Sequence, residues 1–326
     1  MYSLDEAKKV LSSDGLFMVA GDENLLKQLP NGNWIGGTIP YFIGQDGGVT
    51  TKDFVQVTEL DSRLSLKKLA KYDESNLDQV TKDYPKNGSS FIVIPAFSKP
   101  HIHFAQHALN FDGLFNSPLV GWIAGFDLNQ EGASAKVVNG LTGDILDQNA
   151  LVLHCELESR YTGQIEIINP FSIDDSGPKI EFPEISIQPS ACLIDGKEAN
   201  LAEYMAENNY NVQLPLITDF SGANINVCIQ EINTDDKHVK LFGPVFPGTE
   251  YRLSKPMENY QKDFLNLVPK DIEATWSCNC VLNYLYSELE GKKMGDLQGP
   301  ATFGEIAYIL LNQTAVYLDI KDKIKS

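Results

Sequence analysis

Three histidines stand close together in the first half of the chain, and their spacing could serve a metal ion. His101, His103 and His107 form a His-x-His-x-x-x-His pattern, and His103 and His107 have the i, i+4 spacing that places two imidazoles on one helix face. The acidic ligand of a binuclear hydrolase is missing, because Ala105 and Gln106 stand in its place. We expect surface or packed histidines and keep a metal cluster as the alternative.

A glycine turn near the end of the chain carries the most informative polar groups. It reads Gly299-Pro300-Ala301-Thr302-Phe303-Gly304-Glu305-Ile306. Glu305 could hold a ligand's ammonium group through a charge-assisted hydrogen bond, or it could accept backbone N–H groups and stabilise the turn. Thr302 and Thr38 could contact a ligand or bond the local backbone. The expected ligand-binding residues are Gly36, Gly37, Thr38, Cys280, Thr302, Gly304 and Glu305.

The start of the chain holds a weaker copy of this turn, Gly36-Gly37-Thr38. Both turns follow a helix-like and then a strand-like segment by similar distances, so that residues 16–38 echo residues 275–302. This similarity predicts a structural unit used twice. Small residues that face each other where the copies meet would leave room for a ligand cleft.

Cys278 and Cys280 would point to the same face of a strand. A zinc site needs about four ligands, and the sequence offers no second pair of suitable spacing. We therefore expect Cys278 to be buried and unreactive, whereas Cys280 is a candidate pocket residue and, in the enzyme alternative, a candidate reactive group. No P-loop, Rossmann glycine fingerprint, Gly-x-Ser-x-Gly elbow or His-Glu-x-x-His motif occurs, so no cofactor is expected.

Composition limits the domain number, the partners and the compartment. With 326 residues and 43% hydrophobic content, the chain favours two domains over one core. Its net charge of −18, from 44 acidic and 26 basic residues, disfavours nucleic acid and anionic membrane surfaces. The chain shows neither a spanning apolar run nor a signal peptide, and its five scattered cysteines do not resemble a disulfide framework. A reducing cytoplasm fits these features.

The elements that must position these groups read as short helices and buried strands. The apolar run Phe91-Ile92-Val93-Ile94-Pro95-Ala96-Phe97 predicts a central strand covered on both faces, and Ser3 with Glu6 predicts a capping box that opens a helix. A shift toward Asp, Ser, Gly and Pro between residues 174 and 189 predicts a linker. The boundary is placed near residue 183, which gives domains 1–183 and 184–326.

In chain order, several motifs resemble the FIST (F-box and intracellular signal transduction) family of sensory domains. In the first half they are Leu119-Val120-Gly121-Trp122-Ile123-Ala124-Gly125, then Val138-Asn139-Gly140 followed by Ala150-Leu151-Val152-Leu153. In the second half they are Ile194-Asp195-Gly196-Lys197-Glu198-Ala199 through Tyr204, then Cys280, then Thr302-Phe303-Gly304-Glu305-Ile306. The resemblance implies an N-terminal and a C-terminal part and a cytoplasmic sensory role in signal transduction.

We therefore predict an α/β fold of two related parts, with mixed β-sheets covered by helices and an approximate internal duplication. The predicted function is binding of a small, amino-acid-like ligand in a sensory or regulatory role, with an unknown signalling protein as a possible partner. Two alternatives stay open. One is an enzyme that uses Cys280 or the cluster of His101, His103 and His107, and the other is a protein-interaction module.

Overall fold

The structure, a computed structural model, describes residues 1–220, 222–270 and 274–324. Its α-helices are α1 (Leu4–Leu11), α2 (Glu23–Leu26), α3 (Lys99–His107), α4 (Leu201–Glu207), α5 (Tyr260–Leu267) and α6 (Val281–Tyr286). Short 3-10 helices cover Leu77–Thr81, Ala108–Asn110 and Leu114–Asn116. Within the described residues, every helix falls short of the length and apolar character that crossing a bilayer requires.

The strands of the described chain are each eight residues long or shorter. The first twelve are β1 (Phe17–Gly21), β2 (Trp34–Thr38), β3 (Tyr41–Gly44), β4 (Gly47–Thr50), β5 (Gln56–Glu59), β6 (Ser65–Tyr72), β7 (Gly88–Pro95), β8 (Leu119–Ala124), β9 (Val137–Asn139), β10 (Ile145–Leu146), β11 (Ala150–Glu156) and β12 (Tyr161–Ile168). Then follow β13 (Ile180–Glu181), β14 (Ala191–Ile194), β15 (Lys197–Asn200), β16 (Leu216–Phe220), β17 (Ala223–Val227), β18 (Ile229–Asn233), β19 (His238–Leu241) and β20 (Arg252–Leu253). The last are β21 (Trp276–Cys280), β22 (Gly299–Thr302), β23 (Glu305–Ala307), β24 (Ile309–Leu311) and β25 (Ala315–Asp322).

The described residues form two compact units. The first draws on Met1–Ile168, Val268–Leu310 and Thr314–Ser326, and the second on Asn169–Leu267 and Leu311–Gln313. The first unit holds three sheets, with the strand orders β10-β9-β2-β1-β5, β24-β23-β8-β7-β11-β6 and β12-β25-β21-β22-β3-β4. The boundary near residue 183, with domains 1–183 and 184–326, stays a prediction.

Strand β7 shows how the core of the first unit is built. It lies between β8, which is parallel, and β11, which is antiparallel, and all of its residues are buried. It contacts β2 of one neighbouring sheet and β12 of the other. The predicted central strand with two covered faces is confirmed for Phe91–Pro95, and its cover consists of other sheets. Ala96 and Phe97, the last two residues of the predicted strand, lie in the turn that follows.

The predicted α/β fold with helix-covered sheets is wrong, because the described chain is mostly β, with 40% strand and 17% helix. Helices α2 and α6 have only four and six residues and cannot cover a sheet. The capping box of Ser3 and Glu6 is present at α1, as predicted. The local capping signal thus predicts the start of α1 correctly, but the sheets bury their faces against one another.

A strand, a short helix and a parallel strand occur twice in the first unit, as β1-α2-β2 and as β21-α6-β22. In each case antiparallel strands flank the pair, namely β5 and β9 in one and β25 and β3 in the other. The predicted duplication of two α/β halves is nevertheless wrong, since residues 169–267 form a separate unit of small antiparallel sheets.

The second unit packs three small sheets around its own core. Their strand orders are β13-β14-β15, β17-β16-β20 and β18-β19. Helix α4, which Asn200 caps through a bond from the Glu203 backbone N–H, packs Leu201 and Met205 into this core. The capping bond from Glu203 to Asn200 Oδ1 is 3.0 Å long, and β18 pairs with β19 in antiparallel orientation.

Candidate ligand-binding site

Gly36 and Gly37 lie in β2 at positions where a side chain would collide with its neighbours. A Cβ on Gly36 would stand 2.5 Å from the carbonyl oxygen of Val19, and one on Gly37 would stand 2.9 Å from the Trp122 ring. Real Cβ atoms essentially never approach other atoms to under 3.0 Å. These glycines therefore permit the close approach of neighbouring strands.

Thr38, the last residue of β2, connects two loops to that strand. Its Oγ1 donates to the carbonyl oxygen of Gly125 at 2.7 Å and accepts from the backbone N–H of Lys136 at 2.9 Å. The backbone N–H of Thr38 also donates to the carbonyl oxygen of Lys136, and its carbonyl oxygen accepts from the N–H of Gly125. The chain on both sides of residues 126–135 is thus held against the end of β2.

Glu305 lies in a fully buried polar group at the corresponding end of β22. Its Oε2 accepts from the backbone N–H of Thr314 at 3.2 Å and from the Thr314 hydroxyl at 2.8 Å, and Thr302 Oγ1 lies 3.4 Å from Oε1. Both Glu305 and Thr302 have 0% exposure. Burial raises the pKa of Glu305 to about 8, although the bonds from Thr314 favour the charged form.

Cys280 and Gly304 complete this buried group. Cys280 lies opposite Thr302 in the parallel pair of β21 and β22 and is 1% exposed. The carbonyl oxygen of Gly304 accepts from the backbone N–H of Ile123 at 2.8 Å, which joins the turn to β8. The structure brings Cys280, Thr302, Gly304 and Glu305 together and places residues 36–38 in another sheet. A pocket shared by both groups stays a prediction.

A cleft of about 250 Å³ opens at the end of the β1 and β2 pair. Gly21 and Thr38, the last residues of the two parallel strands, both line it. Crevices beyond the carboxyl ends of parallel strands are common ligand sites. Of the seven predicted ligand-binding residues, all of which the structure describes, Thr38 lines this cleft.

Two lysine–carboxylate pairs line the cleft. Lys52 Nζ lies 2.7 Å from Asp127 Oδ2, and Lys136 Nζ lies 3.0 Å from Glu23 Oε2. The hydrogen bond from Lys52 lowers the pKa of Asp127, and the bond from Lys27 does the same for Glu23. The cleft therefore presents both signs of charge at neutral pH.

The loop that carries Asp127 is held by backbone hydrogen bonds. The Tyr41 hydroxyl accepts from the backbone N–H of Leu128 at 3.0 Å, and Asp127 Oδ1 accepts from that of Asn129 at 3.0 Å. Tyr41 belongs to β3, so a strand of the third sheet positions one wall of the cleft. The Asp127 carboxylate is thus oriented before any ligand arrives.

An aromatic cluster adjoins the cleft through Phe126. Phe97, Phe126 and Phe303 have ring centroids 5.0 to 6.4 Å apart. Phe97 lies in the turn between β7 and α3, where it is 65% exposed and has a positive φ of 60°. Its backbone N–H donates to His101 Nδ1 at 3.1 Å. The cluster thus joins Phe126, which lines the cleft, to the exposed ring of Phe97.

A family model described as a family of unknown function, DUF6976, matches residues 2–321. The chain belongs to this family. The predicted FIST membership is therefore wrong, together with the FIST assignment of both parts. The motifs that carried it are short Gly-containing turns, and tight turns need such residues in many folds. Neither a curated protein nor a solved structure matches the chain.

The three histidines of this DUF6976 chain serve packing around α3. The rings of His103 and His107 lie 4.8 Å apart between centroids, while His101 contacts Phe97. Burial lowers the pKa of His101 to about 4, so its imidazole is neutral at pH 7. Within the described residues, no group of three His, Cys, Asp or Glu side chains could hold a metal ion.

A Ser–His pair, which sequence reasoning did not single out, lies inside the central sheet of the DUF6976 chain. His154 Nδ1 lies 2.8 Å from Ser90 Oγ, and Nε2 lies 2.9 Å from the Tyr72 hydroxyl, which donates to Asp83 at 2.6 Å. Ser90 and His154 have 0% exposure, so a substrate cannot reach the serine hydroxyl in this conformation. We interpret this chain of bonds as a connection between β6, β7 and β11.

Sequence reasoning missed the charged cleft residues because they come from separate parts of the chain. Glu23 begins α2, Lys52 follows β4, Asp127 follows β8 and Lys136 precedes β9. None of them belongs to a motif, and only the sheet brings them to one place. The available signal was positional, since Glu23 stands shortly after β1 and Asp127 shortly after β8.

Proposed function

We propose that the protein binds a small zwitterionic molecule, of amino-acid size, in the cleft at Thr38. The observation that carries this proposal is that Lys52, Asp127, Lys136 and Glu23 line one cleft in two opposite-charge pairs. A zwitterion presents a carboxylate to a lysine and an ammonium group to a carboxylate. When such a ligand separates a lysine from its carboxylate partner, it therefore gives each of the two side chains a new partner of opposite charge.

The energetic cost of opening these pairs is small. Lys52 and Asp127 side chains are 42% and 19% exposed, and those of Lys136 and Glu23 are both 28% exposed. Partly exposed pairs of this kind contribute about 0–1 kcal/mol. A ligand that supplies both charges can replace such a pair without leaving a buried charge unpaired.

The size of the cleft favours a small ligand. Its volume is about 250 Å³, below the roughly 300–1,000 Å³ of pockets for drug-sized molecules. Thr38 and the loop of residues 126–130 are fixed by hydrogen bonds, which reduces the ordering cost of binding. A regulatory role for this binding stays a prediction, since it rested on the family resemblance.

A cytoplasmic location is part of the proposal. The five cysteines, which all fall within the described residues, are buried and form no disulfide. Free thiols persist in reducing compartments, where structural disulfides are rare. The enzyme alternative that uses Cys280 has little support, because Cys280 is 1% exposed and a substrate cannot reach its thiol in this conformation.

Thermal denaturation with added amino acids tests the proposed function. At about 100 times the dissociation constant, a ligand that binds only the folded chain adds about 2.7 kcal/mol of stability. We expect a saturable rise in melting temperature for the wild type that Lys52→Met and Lys136→Met each reduce strongly. Lys237→Met is the matched control, because it opens the Lys237–Glu203 pair and lines no part of the cleft.

Two results would contradict the proposal. One is a wild-type melting temperature that no zwitterion raises, and the other is an unchanged rise in both cleft variants. Inorganic phosphate and a simple amine serve as ligands of one charge each. If either of them alone gives the full effect, the cleft binds an ion and does not require a zwitterion.

A further inference from the structure

We infer that the ligand of the Thr38 cleft carries an aromatic ring, which packs on the exposed face of the Phe97–Phe126–Phe303 cluster. This inference rests on the proposed function and names the class of molecule that the site selects. Phe97 has an unusual backbone conformation, with a φ of 60°. A bulky residue with positive φ is an outlier, and such strain concentrates at ligand-binding sites.

Folding alone does not account for this conformation. Phe97 is 65% exposed, so its ring gains little from burial in return for the backbone strain. Two local bonds hold the turn, since His101 Nδ1 accepts from the Phe97 N–H and Ser98 Oγ donates to the carbonyl oxygen of Pro95 at 2.6 Å. The turn thus maintains an open aromatic ring at a fixed place.

Phe126 connects this ring to the charged groups. It lines the cleft and its ring lies 6.2 Å from that of Phe97 between centroids. The next residue, Asp127, is the carboxylate of the Lys52 pair. A molecule held at Lys52 and Asp127 therefore shares the cleft with Phe126, whose ring contacts that of Phe97.

The spacing of the three rings favours a closed aromatic cluster over a cage for a cation. The centroids of Phe126 and Phe303 are 5.0 Å apart and their planes meet at 63°, which is direct edge-to-face contact. An aromatic cage needs free space between its rings to hold a quaternary ammonium group. These rings instead fill that space themselves and leave an outer surface for a further ring.

The inference is tested by comparing L-phenylalanine with L-alanine in isothermal titration. We expect the wild type to bind L-phenylalanine about tenfold more tightly, a difference of about 1.4 kcal/mol. Phe97→Leu should bring the two affinities close together while the affinity for L-alanine is unchanged. Phe115→Leu is the matched control, because Phe115 is 57% exposed, packs on Tyr308 and does not line the cleft.

A second variant keeps the test usable if Phe97→Leu does not fold. Glycine adopts φ of 60° without strain, so Phe97→Gly should fold and should also lose the aromatic preference. Equal wild-type affinities for the two amino acids, or a preference that survives in the Phe97 variant, would overturn this inference and leave the proposed function standing. Failure of both amino acids to bind would overturn both.

Discussion

Glu305 shows how burial decides the role of one residue. Two donors from Thr314 point at a carboxyl group that no solvent reaches, which is the arrangement expected of a group that stabilises a turn. Ligand contact at Glu305 stays a prediction. The corresponding end of β2 differs, because there Thr38 borders an open cleft.

The raised pKa of Glu305 predicts a specific pH dependence. The folded pKa of about 8 lies above the ordinary value of 4.5, so the folded chain holds a proton that the unfolded chain releases. This contribution is full below pH 4.5 and is lost as the pH rises through about 8. In urea unfolding, we expect the wild type to lose up to about 5 kcal/mol of its free energy of unfolding over that range. Glu305→Gln should not show this loss, because its amide does not titrate.

A control separates this effect from general titration. Glu207 is exposed, and Glu207→Gln should leave the pH dependence of unfolding unchanged. Glu305→Ala should cost about 2–4 kcal/mol below pH 4.5, because it leaves the Thr314 donors unpaired in a cavity. This cost should shrink as the pH rises toward 8, because the variant lacks the carboxyl group whose titration destabilises the wild type. A Glu305→Gln variant with the same pH dependence as the wild type would show that this carboxyl group does not titrate in the native range.

At the scale of elements, close packing between sheets explains Gly37 of β2. A Cβ at Gly37 would stand 2.8 Å from the Cβ of Ala124 and 2.9 Å from the Val93 side chain. Gly37→Ala should therefore lower the free energy of unfolding by about 1–3 kcal/mol through overpacking. Gly44→Ala is the control, because its nearest contact would be an ordinary 3.5 Å. Equal stabilities of the two variants in urea would contradict this account.

The bonds of His154 join three strands and predict sensitivity to acid. Burial lowers its pKa from 6.5 to about 4, so the folded chain keeps this imidazole neutral where the unfolded chain is protonated. Its contribution is full above pH 6.5 and is lost as the pH falls toward 4. We expect unfolding experiments to show a loss of up to about 3 kcal/mol that is absent in His154→Gln.

The prediction for His154 is checked against a control substitution at another histidine. His238→Gln replaces a histidine of β19 in the second unit and should keep the acid sensitivity of the wild type. Urea midpoints at pH 7 and pH 5 are sufficient for all three proteins. If His154→Gln loses as much stability between these values as the wild type, other groups cause the acid sensitivity.

At the scale of the whole molecule, the sequence predicted local features better than architecture. The run from Phe91 to Phe97 is apolar and β-branched, which is enough to predict a buried strand, and Ser3 with Glu6 is a local capping signal. The α/β prediction was wrong because no local pattern shows which element covers a sheet. The cover here consists of other sheets, which pair strands distant in sequence such as β23 and β8.

For the candidate site, too, the sequence showed local patterns but not which distant residues the fold brings together. Thr38 was predicted from a glycine turn, and it does line the cleft. Lys52, Asp127 and Lys136 were missed, because isolated charges in loops are ordinary surface residues until the fold places them together. The aromatic cluster was missed for the same reason, since Phe97, Phe126 and Phe303 come from three separate segments.

A crystal structure of the protein with L-phenylalanine would test the central claim most directly. The account predicts the amino acid in the Thr38 cleft, with its carboxylate at about 2.7–3.2 Å from Nζ of Lys52 or Lys136. Its ammonium group should contact Asp127 or Glu23, and its ring should pack on Phe97 or Phe126. A cleft that stays empty at saturating ligand, or an amino acid bound elsewhere on the chain, would contradict it.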